Sequence, residues 1–222
     1  MEIIVKKRLV DQLYEVLKKG IVDMTLKLGS RIDIKNLSKE FGVSETPVRA
    51  ALNKLADEKF VRLSPRKGYF VFEPNEKDIE EILDLRIMLE VYAIDKGLMD
   101  DTGRQKLQGI YQVLKNLIQE SEGKKKAKKS LEIDKILHLE IIRSCKNRRV
   151  QEFFYHIYDF VQIYQSLESL PKQDITEHIQ IVKSLLEENK KEAKKKLTMH
   201  LEHAKNLTIN SLKRYEVQQF SL

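Results

Sequence analysis

Among the side chains able to hold a metal or move a proton, one aspartate and three histidines stand out by their spacing. Leu131, Asp134, His138, Ile141 and Cys145 recur in steps of three and four, the interval that lines up side chains on one helical face. Asp134 and His138 therefore share a face expected to be buried. A second apolar stripe, Ile175, His178, Val182 and Leu185, and a third, Leu197, His200, Ala204 and Leu207, are each broken by a histidine. One carboxylate and three imidazoles without a cysteine suit Zn, Ni, Co, Mn or Fe(II) far better than a soft metal. Helical bundles build such sites from facing helices. An ionised aspartate in a bundle core is costly without a cation. The competing reading is four hydrogen-bonded core residues that bind nothing. His156 and His203 lie off these stripes and read as surface residues.

Such a ligand set at a metal could also activate a water for hydrolysis or elimination. No His-Glu-x-x-His or Gly-x-Ser-x-Gly arrangement accompanies it, so an enzyme would lack a recognisable base or nucleophile. The ion itself could instead be the signal, as in a metal sensor.

The elements that must position these side chains read as helices near 76–97, 103–121, 130–146, 148–167, 174–188 and 190–215. Gly123 to Lys129 carries a lysine run that reads as a solvated connection. Before them the pattern changes. A first helix is expected from about Lys6 to Gly20, a short second one around Ile34, Leu37 and Phe41, and a third from Ser44 to about Glu58. Phe60–Leu63 and Tyr69–Phe72 are β-type runs flanking Ser64-Pro65-Arg66-Lys67-Gly68, a hairpin with a basic tip. Pro74 places a boundary between domains 1–74 and 75–222.

The chain has 222 residues, 41% hydrophobic and 34% charged, enough to fold around cores. Its net charge of +7 is uneven: residues 1–74 carry 15 Lys/Arg against 10 Asp/Glu, and the remainder 26 against 24. A basic first third points to a polyanionic partner. Cys145 is the only cysteine, which excludes an internal disulfide and a thiolate cluster. No stretch approaches 18 apolar residues and Met1–Val10 carries no signal-peptide core, so a cytoplasmic protein with no membrane partner is expected.

Leu37 to Leu52 holds the most specific pattern. Gly42 permits a tight turn between two helices, Ser44 is placed to cap the second with its hydroxyl, and Pro47 falls in the first turn, where a missing N–H costs little. Val48, Leu52 and Leu55 face inward. Glu45, Thr46, Arg49 and Asn53 face outward from the N-terminal half, the part of such a helix that enters a major groove.

Over about residues 8–73 this segment resembles the GntR family of bacterial regulators. Val43-Ser44, Thr46-Pro47-Val48-Arg49 and Leu52 carry the likeness, as does the wing Lys67-Gly68-Tyr69-Phe70-Val71. The resemblance implies a winged helix-turn-helix in which Lys35, Ser44, Thr46, Arg49 and Lys67 contact DNA and Gly68 lets the wing approach the minor groove. Glu45 departs from the family, which usually has arginine there, and so puts operator preference in question. Residues 77–215 resemble the FCD effector domain of the FadR subgroup through Leu85-Arg86, Leu89-Glu90, Ala93, Asp134, His138, Glu177-His178 and Met199-His200-Leu201. This implies a mainly α protein whose C-terminal half is an antiparallel bundle of six or seven helices. It also implies Asp134, His138, His178 and His200 as ligands of a divalent metal such as Zn or Ni. A small carboxylate effector would complete the coordination, with Arg86 near the pocket. Arg86 could instead pair with Glu90 one turn away. The expected protein is a homodimeric repressor that binds an inverted-repeat operator in double-stranded DNA.

Overall fold

The computed structural model describes residues 9–97, 100–167 and 175–219. The chain divides into two compact units, Met1–Asn75 and Glu76–Leu222.

The first unit opens with α1 (Leu9–Val22); the expected start at Lys6 lies outside the described residues. α2 (Ile34–Phe41) begins where the Asp33 carboxylate accepts a bond from the Asn36 N–H at 3.1 Å. It ends at Gly42, whose φ of 64° is left-handed backbone that glycine adopts without strain. The chain then re-enters as α3 (Glu45–Asp57). Ser44 holds the capping position, but its hydroxyl makes no capping bond, contrary to the expectation. A capping hydroxyl accepts from the second or third helical N–H, and the third residue here is Pro47, which has none. Val48, Leu52, Leu55, Leu17, Ile21 and Phe60 are fully buried and form the core of this unit.

Strands β1 (Val61–Ser64) and β2 (Gly68–Val71) pair antiparallel with Val61 opposite Val71 and Ser64 opposite Gly68. Arg31 bridges to Phe70 at the outer edge, and the Ile32 N–H donates to the Tyr69 carbonyl at 2.9 Å. The wing is thereby tied to the chain just before α2.

The regular elements among the described residues of the second unit are all helices: α4 (Glu76–Lys96), α5 (Asp101–Gln119), α6 (Lys124–Ser144), α7 (Arg148–Ser166), α8 (Ile175–Leu186) and α9 (Lys190–Gln219). The expected start of α8 at residue 174 lies outside them. α4 packs against α6, α7 and α9, α8 packs against α5 and α9, and α5 also covers α6. Gly97 makes the close approach of α4 to α6 possible. A Cβ there would lie 2.3 Å from Ser144 Oγ and 2.6 Å from the Ala93 carbonyl.

The lysine run departs from its expected place. Lys124 to Lys129 are the first turns of α6, not a solvated connection. Lys126 is buried and donates to the Glu120 carbonyl at 3.0 Å and to Glu122 at 2.7 Å, and Lys129 donates to Glu120 at 2.6 Å. Lysine is a good helix former, and these partners offset the repulsion that made the run look extended.

Candidate metal centre and nucleic-acid interface

Asp134, His138, His178 and His200 converge at the centre of the second unit. All four are buried, and each offers one ligand atom within 4.8 Å of the others. Asp134 and His138 stand one turn apart on α6, His178 comes from α8 and His200 from α9. The His178 and His200 ring centres are 4.3 Å apart, and that of His138 lies 5.8 and 5.6 Å from them. His178 Nε2 is 3.0 Å from Asp134 Oδ1. His138 Nε2 lies 3.2 Å from the same oxygen without the alignment of a hydrogen bond, and is a buried nitrogen with no partner. Two donors crowded beside one carboxylate oxygen, one of them unsatisfied, fit joint ligands of a cation better than hydrogen-bonded core residues.

A second set of side chains fixes the first. His138 turns Nδ1 to Glu90 of α4, and His200 turns Nδ1 to Glu177 of α8 at 2.7 Å. A metal-binding imidazole characteristically engages its other ring nitrogen with a carboxylate, which leaves Nε2 for the ion. Tyr158 and Gln165 of α7 donate to the second oxygen of Asp134 at 3.4 and 3.1 Å. Glu177 also reaches exposed His203 at 3.1 Å. Arg86 Nε donates to Glu90 at 2.8 Å, so the pairing expected as its alternative role is present, but fully buried. Arg86 Nη2 has no hydrogen-bond partner and the guanidinium lies over the Tyr158 ring. The roles of Glu90, Glu177, Tyr158 and Gln165 were not foreseen. Glu90 had a signal: it continues the stripe Ile79, Leu83, Arg86, Glu90 and Ala93, all buried.

The electrostatics follow from burial and neighbours. Burial pushes the His200 imidazole down to about 4, against the upward pull of Glu177, so it is neutral near pH 7, as a ligand must be. Burial and Arg86 push His138 down, but Glu90 and Asp134 together outweigh them and raise it. Burial raises Asp134 and Glu90, yet His138 and its neighbours hold both carboxylates below their usual range.

In the first unit, Lys35, Arg49, Lys67 and Gly68 line one open groove of about 500 Å³, joined by Arg31, Arg66 and Glu45. Ser44, at the cap of α3, and Thr46, in its first turn, are exposed but are not among the lining residues. Gly68 has a φ of 97° at the base of the wing turn. Asn53, expected to face outward only, also accepts from the Tyr69 hydroxyl at 2.6 Å and so links α3 to the wing. Among the described residues no helix is long and apolar enough to cross a membrane.

Residues 9–71 match the model of bacterial regulatory proteins of the gntR family, and residues 81–203 match the FCD domain. The chain is 26% identical over 196 residues to an uncharacterised HTH-type transcriptional regulator, YdhC, of Bacillus subtilis, covering 86% of this chain and 87% of the relative. The fold is similar to the crystal structure of a putative GntR regulator from Rhodococcus sp. RHA1, with TM-score 0.73 and 18% identity over 90% of this chain and 97% of the other. The second unit is similar to the Zn2+-bound FCD domain of TM0439, with TM-score 0.50 and 22% identity over 62% of this chain and 96% of that one.

Proposed function

This chain belongs to the gntR family of bacterial regulatory proteins, carries the FCD domain and is a DNA-binding transcriptional regulator rather than an enzyme; from that premise we propose that it represses transcription in the cytoplasm as a metal-dependent sensor of a small organic acid. Asp134, His138, His178 and His200 hold one divalent transition metal such as Zn or Ni. The observation that carries this reading is the pair of carboxylates, Glu90 and Glu177, engaging the outer nitrogens of His138 and His200. The Zn2+-bound state of the FCD relative supports it. When bound, the ion supplies Lewis acidity that draws an anionic oxygen to it.

A buried donor left without a partner favours a carboxylate effector. The unpartnered Arg86 Nη2 is a donor suited to a carboxylate.

Lys35, Ser44, Thr46, Arg49, Lys67 and Gly68 contact a duplex operator. A homodimer presents two recognition helices about a two-fold axis, so the operator is an inverted repeat. Occupied operator DNA is closed to other proteins, which makes repression the default action. The test is operator-binding affinity of metal-loaded protein across a panel of organic acids, with melting temperature read in parallel. At least one acid should raise the melting temperature and change DNA affinity, and neither effect should survive chelation. An acid acting equally on chelated protein contradicts the reading, and a change in affinity with metal alone makes the ion itself the effector.

A further inference from the structure

We propose that Glu45 is a base-reading residue that selects cytosine in each operator half-site and holds Arg49 for a guanine beside it. This deepens the DNA-binding reading above and rests on it. The recognition groove is basic, lined by Arg31, Lys35, Arg49, Arg66 and Lys67. Two acidic residues interrupt that lining, Asp33 and Glu45. The Asp33 carboxylate is occupied in capping α2. That of Glu45, on the first residue of α3, makes no capping bond: its Oε2 accepts from Arg49 Nη2 at 2.9 Å, one turn further along.

Stability explains little of that placement, since an exposed first-turn carboxylate gains only modestly from the helix dipole. The two side chains are 39% and 53% exposed, and exposed pairs at this spacing contribute little. For a groove that receives a polyanion, a carboxylate is a liability, because it repels phosphates at every sequence alike. Its chemistry matches one feature of the major groove: it accepts from the exocyclic amino group of cytosine. Oε1 is available for that contact, while the bond Arg49 donates to Oε2 restricts Arg49 to one side of the helix. The remaining guanidinium donors then match the O6 and N7 acceptors of guanine. The pair trades general affinity for discrimination.

The experiment selects duplexes from a randomised library with the full-length metal-loaded protein and with Glu45→Gln, Arg49→Ala and the double variant, then measures affinity for the selected and a scrambled duplex. Glu45→Gln keeps the size of the side chain and removes its charge. The wild type should select one fixed cytosine per half-site. Glu45→Gln should lose that preference by about tenfold and bind scrambled duplex more tightly than the wild type. The losses in Arg49→Ala and Glu45→Gln should be non-additive in the double variant, as for groups that act together. Retention of the same base preference by Glu45→Gln, or additive losses, overturns the assignment and leaves the regulator reading intact. A wild type that selects no sequence overturns both.

Discussion

The open groove of the first unit and the buried centre of the second both concentrate charge, and they treat it in opposite ways. In the groove, cations from α2, α3 and the wing face solvent, and few are tied to one another. In the centre, Arg86, Glu90, Asp134 and His138 are almost wholly removed from water and linked in series. A solvated charge stabilises the fold little and remains available to a polyanion. A buried charge is tolerated only while its neighbours balance it. The groove should therefore fail in binding when altered, and the centre in stability first.

The largest effect sharpens that contrast at Asp134. Asp134→Ala removes the carboxylate beside His138 and His178 and the shared acceptor of Tyr158 and Gln165, and should cost roughly 3–5 kcal/mol in denaturant unfolding of the second unit. An effect below about 1 kcal/mol, the size expected of an exposed pair, would break the contrast.

The next largest is pH-linked. His200 is neutral in the folded protein down to about 4, while an unfolded histidine titrates near 6.5. Between these values the unfolded state binds the extra proton, so the contribution of His200 falls as pH drops from about 6.5 toward 4. The full linkage is roughly 3 kcal/mol. His138 is shifted the other way and gains on protonation, so the clean measurement is a difference. Metal-free wild type should lose more stability between pH 7 and 5 than metal-free His200→Gln. Parallel pH profiles would mean that His200 is not buried neutral.

The smallest effect on stability belongs to the wing. Gly68 holds a φ of 97°, and an added Cβ there would meet only Arg31 Nε at 3.9 Å. Gly68→Val is thus a backbone problem rather than a clash, costing about 1–2 kcal/mol within the hairpin. Its effect on binding should be disproportionate, with specific DNA affinity reduced at least tenfold and metal content unchanged. Unaltered affinity would remove the wing from the interface.

These differences also mark what could be read from the chain alone. Asp134, His138, His178 and His200 were legible because a polar residue inside an apolar stripe is a local pattern, and helical periodicity fixes its direction. Glu90 was harder to see, since an arginine and a glutamate four residues apart look like a solvated pair until α6 and α7 close over α4. Lys126 misled for the same reason, its partners Glu120 and Glu122 lying across a helix start that charge repulsion seemed to forbid. The winged helix was legible from glycine and proline punctuation, yet Ser44 makes no capping bond, and Pro47 removes one of its two candidate donors.

Metal stoichiometry tests most directly whether the buried cluster exists for a cation. Protein purified without a histidine tag, chelated and then reloaded with Zn2+ or Ni2+, is analysed for bound metal beside His138→Ala and His200→Ala. About one equivalent per chain in the wild type, falling sharply in both variants, is the predicted result. Less than about a tenth of an equivalent in the reloaded wild type would contradict the account and make these four residues an ordinary hydrogen-bonded core.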